Sequence, residues 1–175
     1  MLDKYKYTEK EQKELLLTMG ILVDTREKST HIVDWLDKKK IKYKVQKMDY
    51  GDYSFYLPEN KTLNIDRDLY FDKEFCIERK GSLEELSINM TKERDRLKNE
   101  FPQHKGKMTL LIEGTNYEDI CKGNYKSKYN SKSFLASLHS MSSEFNIPFI
   151  FIPDKEYTPI FIYFHFYYYL RNIIK

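Results

Sequence analysis

Residues 51–80, GDYSFYLPENKTLNIDRDLYFDKEFCIERK, are the stretch that decides the fold. Asp52 stands just before one apolar run and Glu78 just after another, so we expect each acid at the end of a strand. Lys80 follows Glu78 by two residues and therefore lies on the same face of its strand. Carboxylates at strand ends are oxygen ligands for a divalent ion, and a lysine beside them can act on water or phosphate. The stretch therefore predicts a metal site suited to hydrolysing phosphodiesters.

Outward from this stretch, apolar extended runs alternate with helical patterns, which predicts an α/β fold with a central mixed sheet flanked by helices. Thr8 and Glu11 form a capping-box pattern that predicts a helix ending near Met19. The predicted strands are residues 21–23, 41–46, 53–57, 62–65, 75–78, 108–112 and 148–152. Further helices are predicted after Ser29 or Thr30, after Ser82 as far as Pro102, after Ser131 or Ser133, and after Thr158 acting as a cap.

Three acidic elements occur in one order along the chain: Val23-Asp24-Thr25-Arg26-Glu27, Gly51-Asp52 and Glu78-Arg79-Lys80. This order resembles the XPF-type (ERCC4 domain) structure-specific endonucleases over roughly residues 20 to 170. Residue 84 is Glu, where that family has Asp, and the spacer between Asp52 and Glu78 is longer than usual. The resemblance implies a restriction-endonuclease-like core. It also implies a nuclease domain at residues 20–175, with residues 1–19 as a helical extension.

The activity implied by the resemblance is Mg²⁺- or Mn²⁺-dependent DNA endonuclease action on branched or flapped DNA in repair, recombination or replication. In the similar family, the matching residues form the active site; here they are Asp24, Arg26, Glu27, Asp52, Glu78, Arg79 and Lys80. The expected metal ligands are Asp24, Asp52, Glu78 and the backbone carbonyl of Arg79. Lys80 is expected to orient or deprotonate water, or to bind the scissile phosphate. The guanidinium groups of Arg26 and Arg79 suit phosphate oxygens or carboxylates.

Each acidic element also has a structural interpretation. Asp24 and Glu27 could be charges favoured by a helix N-terminus, Asp52 could be a turn residue, and Glu78 could end a solvated strand. Two other functions also stay open. One is a catalytically silent DNA-binding or scaffold subunit of a nuclease heterodimer, and the other is a restriction or repair nuclease with a different substrate.

The chain of 175 residues has a net charge of +3, so its overall charge neither favours nor excludes nucleic acid. Lysine is clustered locally. One cluster is Lys38, Lys39, Lys40, Lys42, Lys44 and Lys47; the other, which we expect to bind DNA, is Lys122, Lys126, Lys128 and Lys132. Tyrosines that could stack on bases or pack in the core are Tyr50, Tyr53, Tyr56, Tyr125 and Tyr129.

Cys76 and Cys121 show neither metal-ligand spacing nor a disulfide framework, and no apolar signal region opens the chain, which favours a cytoplasmic protein. The abundance of Lys, Tyr, Ile and Asn suggests a bacterial or phage genome. The aromatic run at residues 160–170 is too short to span a bilayer. Because a helix apolar on nearly all sides needs cover on nearly all sides, residues 158–174 are expected to join a homodimer or a heterodimer with a similar subunit.

Overall fold

The protein is described by a computed structural model that covers residues 6–91 and 106–175. The predicted helical continuation towards Pro102 lies outside the described residues. The helices and strands, in chain order, are α1 (Glu9–Thr18), β1 (Gly20–Asp24), α2 (Thr30–Lys38), β2 (Tyr43–Gln46), β3 (Tyr53–Leu57), β4 (Leu69–Tyr70), β5 (Phe75–Lys80), α3 (Leu83–Thr91), β6 (Lys107–Glu113), α4 (Tyr117–Lys122), α5 (Ser131–Phe145), β7 (Phe149–Ile152) and α6 (Thr158–Ile173).

The chain divides into two compact units. The first runs to Asp72 and takes in Pro159–Lys175, and the second is Lys73–Thr158 apart from the undescribed residues 92–105. Strand pairing is parallel in some pairs and antiparallel in others, and helices accompany the strands in both units. The α/β class with mixed pairing that the sequence predicts is therefore confirmed.

In the first unit, β1 lies parallel to β2 and antiparallel to β3, and β4 pairs with β3 in antiparallel fashion. All residues of β1 and β3 are buried, as expected for strands covered on both faces. Helix α6 contributes a buried stripe of Ile162, Phe166 and Leu170. The ring of Phe166 lies 5.3 Å from that of Phe55 in β3, so the aromatic C-terminal helix builds part of this core.

In the second unit, β5, β6 and β7 are parallel, with β6 in the middle. Their carboxyl ends therefore meet at one edge of the sheet, where Lys80 pairs with Ile112 and Glu113 pairs with Ile152. Helix α3 packs against β5 and α5, and α4 packs against α5. Polar groups at the carboxyl edge of parallel strands commonly form binding or catalytic sites.

Two of the predicted helix caps are present, whereas one predicted strand and one predicted cap are wrong. The Thr8–Glu11 capping box is present, and Ser82 Oγ accepts a hydrogen bond from the first turn of α3, at 3.2 Å. The predicted strand at residues 62–65 is wrong, because Lys61–Leu63 is a 3-10 turn that begins at Asn60. Thr158 is not an extended cap: its backbone is already helical, and a 3-10 turn at Lys155–Tyr157 leads directly into α6.

Candidate active site

Asp24, the last residue of β1, is completely buried, and its carboxylate accepts three hydrogen bonds. Its Oδ1 accepts hydrogen bonds from the Arg26 backbone N–H (2.8 Å) and Nε (2.6 Å), and its Oδ2 accepts one from the Met48 N–H (2.6 Å). Burial raises the pKa of Asp24, but hydrogen bonds from the Arg26 side chain and the two backbone N–H groups outweigh burial and hold that pKa below its ordinary value. The three bonds use most of the roughly four acceptor sites of the Asp24 carboxylate.

Arg26 and Glu27 shape the turn that follows β1. Arg26 also donates a hydrogen bond from its Nη2 to the Met48 carbonyl, at 3.1 Å, while much of its side chain stays exposed. Glu27 Oε1 accepts a hydrogen bond from the Ser29 N–H at 2.7 Å, just before α2 begins. Glu27 thus fastens the turn before α2, whereas Arg26 connects Asp24 to the segment before β3.

Asp52 is brought beside Asp24 by the antiparallel pairing of β1 and β3. Val23 pairs with Tyr53, and the Asp24 N–H donates to the Asp52 carbonyl at 2.9 Å. Gly51 has φ +70, a backbone conformation that glycine adopts readily, and it directs the chain into β3. Asp52 itself is half-buried, so its carboxylate is the more accessible of the two acids at this strand end.

Glu78 and Lys80 are close together at the end of β5, on one face of the strand. The Lys80 Nζ lies 2.7 Å from Glu78 Oε1 and 3.8 Å from Glu85 Oε1. The side chain of Lys80 is only 7% exposed and that of Glu78 is 19% exposed. Lysine–carboxylate pairs of this kind are found both at catalytic sites and in structural ion pairs.

Arg79 points to the opposite face of β5, away from Glu78 and Lys80. Its Nη1 lies 2.6 Å from Glu113 Oε2 at the end of β6, and Glu113 is completely buried. The Arg79 guanidinium therefore supports the strand end through an ion pair, while its backbone carbonyl remains a candidate metal ligand. Glu113 comes directly after the predicted buried strand at residues 108–112, so the sequence allows it a place near the metal site, but it does not predict the ion pair with Arg79.

Within residues 6–91 and 106–175, no group of three or more His, Cys, Asp or Glu side chains is arranged to hold a metal ion. Asp52 in the first unit and Glu78 in the second each offer a carboxylate, and Mg²⁺ is commonly bound by one or two carboxylates together with several waters and a substrate phosphate. Each acid by itself therefore fits an ion held largely by water and substrate rather than by an all-protein cage.

The second lysine cluster lies around the segment between α4 and α5, residues 123–130, which we call the lysine loop. Lys126, Lys128 and Lys132 are exposed, whereas Lys122 forms an ion pair with Glu118 one turn earlier in α4. In the first cluster, Lys44 forms an ion pair with Asp68 and lies over the rings of Tyr56 and Tyr70 at 4.8 and 5.5 Å, and its cluster neighbours are exposed.

The tyrosines considered for base stacking pack within the protein instead. Tyr53 and Tyr56 are buried in β3. Tyr125 and Tyr129 lie around the buried ring of Phe134, with centroid distances of 5.5 and 5.4 Å. These four rings contribute to packing. Tyr50, just before Gly51, is half-buried.

A family model of the ERCC4 domain matches residues 23–164, a span that includes every acid and lysine placed in the site above. The chain belongs to the ERCC4 domain family. The family comprises structure-specific DNA nucleases. The predicted relationship is thus confirmed, and the ERCC4 domain accounts for most of the chain. No curated protein matches the sequence of this ERCC4 domain closely enough to be counted as a relative.

Two solved structures similar to this ERCC4 domain are XPF from Aeropyrum pernix, once in complex with DNA and once alone. The complex has 15% sequence identity and a TM-score of 0.60, and the alignment covers 88% of this chain and 64% of that one. The second has 14% identity and a TM-score of 0.56, covering 89% of this chain and 59% of that one. The likeness shows a shared fold, and the chain spans about 60% of those proteins' length. No helix in the described part of this ERCC4 domain is both long and apolar enough to cross a membrane.

Proposed function

We propose that this ERCC4 domain is a divalent-metal-dependent DNA endonuclease that hydrolyses phosphodiester bonds in branched or flapped DNA. The observation that carries the proposal is the Glu78–Lys80 pair, with Nζ and Oε1 2.7 Å apart at the carboxyl end of a buried strand. Its support is the family, whose members are structure-specific DNA nucleases. The relative from Aeropyrum pernix in complex with DNA supports DNA as the partner.

The proposed ligands of Mg²⁺ or Mn²⁺ are Asp52, Glu78 and the backbone carbonyl of Arg79. When bound, the ion would stabilise negative charge on the phosphate and make water a stronger nucleophile. Lys80 is proposed to orient the water or hold a phosphate oxygen, since its ammonium group is already fixed beside Glu78.

Asp24, Arg26 and Glu27 are proposed to act chiefly by holding the end of β1 in place. Asp24 and Arg26 are hydrogen-bonded to each other and to the Met48 backbone, and Glu27 accepts a hydrogen bond from the Ser29 N–H. The exposed part of Arg26 is available to a phosphate oxygen. Arg79 is proposed to brace β5 through Glu113. These assignments divide the predicted catalytic set into groups that touch the reacting atoms and groups that position them.

A catalytically silent DNA-binding subunit is the second candidate. It is favoured by the hydrogen bonds that occupy most acceptor sites of the Asp24 carboxylate. A silent subunit would bind branched DNA without cleaving it under any divalent ion.

The test is a cleavage assay on end-labelled forked, flapped and linear duplexes of the same sequence, with Mg²⁺, Mn²⁺ or EDTA. The proposal expects metal-dependent cleavage of forked or flapped DNA, none in EDTA, and slower cleavage of linear duplex. Binding without cleavage in either ion would favour the silent subunit. Equal cleavage of all three DNAs would favour a nuclease with another substrate preference.

A further inference from the structure

Glu84 reaches from the first turn of α3 to the lysine loop. Its Oε1 accepts a hydrogen bond from the backbone N–H of Lys126, at 2.8 Å. This bond is the main reason why the pKa of Glu84 lies below its ordinary value, so the acceptor is ionised at neutral pH. Since Glu84 follows Lys80 by four residues, the bond connects the lysine loop to the carboxyl end of β5.

Both ends of the lysine loop are fastened by separate contacts. At its start, Gly123 ends α4 with φ +73, and the Asn124 N–H donates to the Asp119 carbonyl at 2.8 Å. At its end, Asn130 caps α5 by accepting hydrogen bonds from the N–H groups of Lys132 and Ser133. These contacts fix where the loop leaves and rejoins the helices.

Tyrosines hold the interior of the loop. Tyr125 donates its hydroxyl to the Tyr129 carbonyl at 2.7 Å, and the Tyr129 hydroxyl lies 2.7 Å from Ser137 Oγ in α5. Both rings pack on Phe134, as described above. Lys126 and Lys128 project from this tied segment as exposed side chains. Glu84 adds a hydrogen bond that ties the middle of the loop to α3.

We propose that Glu84 is a positioning residue that holds the lysine loop beside the carboxyl end of β5, so that Lys126 and Lys128 bind the DNA backbone in a preformed arrangement. The proposal rests on the proposed function and names the surface by which the domain grips its substrate. A loop ordered before binding loses less conformational freedom on binding, which strengthens affinity. Glu has one more methylene than the Asp found here in the family, and that length lets it reach the loop.

Charge alone predicts the opposite result, and this makes the proposal testable. Replacing Glu84 by Ala or Gln raises the net charge above +3, which by itself strengthens binding to DNA. The positioning role predicts weaker binding for Glu84→Ala, because no acceptor remains for the Lys126 N–H. Glu84→Gln keeps an Oε1 acceptor and should bind like the wild type. Glu84→Asp keeps the charge but is too short, so it should also bind weakly.

The binding experiment measures anisotropy of a labelled forked duplex over a range of salt concentrations. We expect Glu84→Ala and Glu84→Asp to weaken binding about tenfold, equivalent to about 1.4 kcal/mol, and Glu84→Gln to stay close to the wild type. Glu144→Ala is the matched control, since Glu144 is exposed on α5 and its loss changes the charge equally. Binding by Glu84→Ala as tight as that of the control would overturn the proposal.

A second readout needs no DNA. Limited trypsin digestion should cut faster after Lys126 and Lys128 in Glu84→Ala and Glu84→Asp than in Glu84→Gln, Glu144→Ala or the wild type. Equal cutting in all five proteins would overturn the anchoring by Glu84. If the wild type bound no DNA, the proposed function would fail and the DNA role of the loop with it. The trypsin pattern would still decide whether Glu84 anchors the loop.

A metal-ligand role for Glu84 gives a different pattern. Asp would then serve as well as Glu, because its carboxylate offers the same oxygen donors, whereas Gln would be a poor ligand for a hard cation. Cleavage lost in Glu84→Gln but kept in Glu84→Asp, with DNA binding unchanged in both, would overturn the positioning role in favour of metal binding.

Discussion

At the scale of single residues, the proposed site combines the Glu78–Lys80 pair, which we expect to act on the substrate, with an Arg79–Glu113 ion pair that supports the end of β5. Glu78 and Lys80 share a face of β5, and Arg79 points the other way to Glu113. A strand end three residues long can thus carry both functions because successive side chains alternate between faces.

Lys80→Ala should slow the chemical step more than it weakens DNA binding. The reason is that the Lys80 ammonium lies beside Glu78, a proposed metal ligand, and is nearly buried, so it meets the substrate only at the reacting phosphate. We expect a loss of about 10²- to 10⁴-fold in the single-turnover rate at saturating DNA. An unchanged single-turnover rate combined with weak binding would instead make Lys80 an ordinary phosphate contact.

Glu113→Ala should destabilise the domain. It removes one partner of a buried ion pair and leaves the Arg79 guanidinium, 13% exposed, without its acceptor. The expected loss in the free energy of unfolding is roughly 3 kcal/mol, measured by urea denaturation. Glu118→Ala is the control, because Glu118 forms an exposed ion pair with Lys122 and should cost less than about 1 kcal/mol. Equal losses in the two variants would contradict the supporting role of Glu113.

The sequence predicts the Glu78–Lys80 pair because their two-residue spacing fixes a common strand face. It does not predict the Arg79–Glu113 pair, which depends on the register of β5 against β6, and register is set by long-range packing. Asp24 is a related case: its spacing from Arg26 is visible in the sequence, but the third hydrogen bond comes from Met48, 24 positions away.

At the scale of elements, the lysine loop is the part of the second unit that we propose binds DNA. The sequence indicates a basic loop rich in Gly, Asn, Ser and Tyr, and it predicts the helix that starts at Ser131. It does not indicate that the tyrosines fold back on Phe134, since this follows from how α5 is buried. The cap of α5 is Asn130 rather than either serine, because its side chain reaches the next two N–H groups.

Replacing Lys126, Lys128 and Lys132 together by Ala should weaken DNA binding and reduce its salt dependence. Each lost contact with a duplex phosphate lowers the slope of log affinity against log salt by about 0.9, so the triple variant should lose roughly 2 to 3 units. The measurement is anisotropy of forked DNA at several salt concentrations.

The control for this experiment removes the same charge from the first cluster, by replacing Lys38, Lys39 and Lys42. We expect its slope to stay closer to that of the wild type. If the control lost the larger slope, the DNA would lie along the first cluster and the assignment of the lysine loop would be wrong.

At the scale of the whole molecule, the C-terminal helix predicts assembly. One side of α6 is buried in the first unit through Ile162, Phe166 and Leu170, whereas Phe164 and Tyr168 on another side are 46% and 51% exposed. A single domain therefore covers only part of this aromatic helix. We propose that a second subunit, identical or similar, covers Phe164 and Tyr168.

Light scattering at micromolar concentration should give the mass of a dimer, and Phe164→Glu or Tyr168→Glu should give a monomer, because a charge in an apolar interface is costly. Glu156→Lys, an exposed change in the turn before α6, should leave the mass unchanged. A monomer mass for the wild type, unaffected by either aromatic substitution, would contradict this interface.

The family and the α/β class were predictable at this scale because three short acidic elements occur in order at predicted strand ends. The boundaries of the two compact units were not, because the first unit joins residues before Asp72 to Pro159–Lys175 at the other end of the chain. The sequence also does not predict which side of α6 is buried, since an aromatic run without a polar stripe gives no periodic signal.

The central claim is that Asp52 and Glu78 make this domain a metal-dependent nuclease. The direct measurement is cleavage of forked DNA in Mg²⁺ by Asp52→Ala and Glu78→Ala, with DNA binding measured in parallel. Glu74→Ala is the matched control, because Glu74 is an exposed acid just before β5. Removal of even an outer-shell partner of a metal costs about 10- to 100-fold, so loss of a ligand should slow cleavage by more than about 100-fold while binding persists. Full cleavage by both variants in Mg²⁺ would contradict the claim.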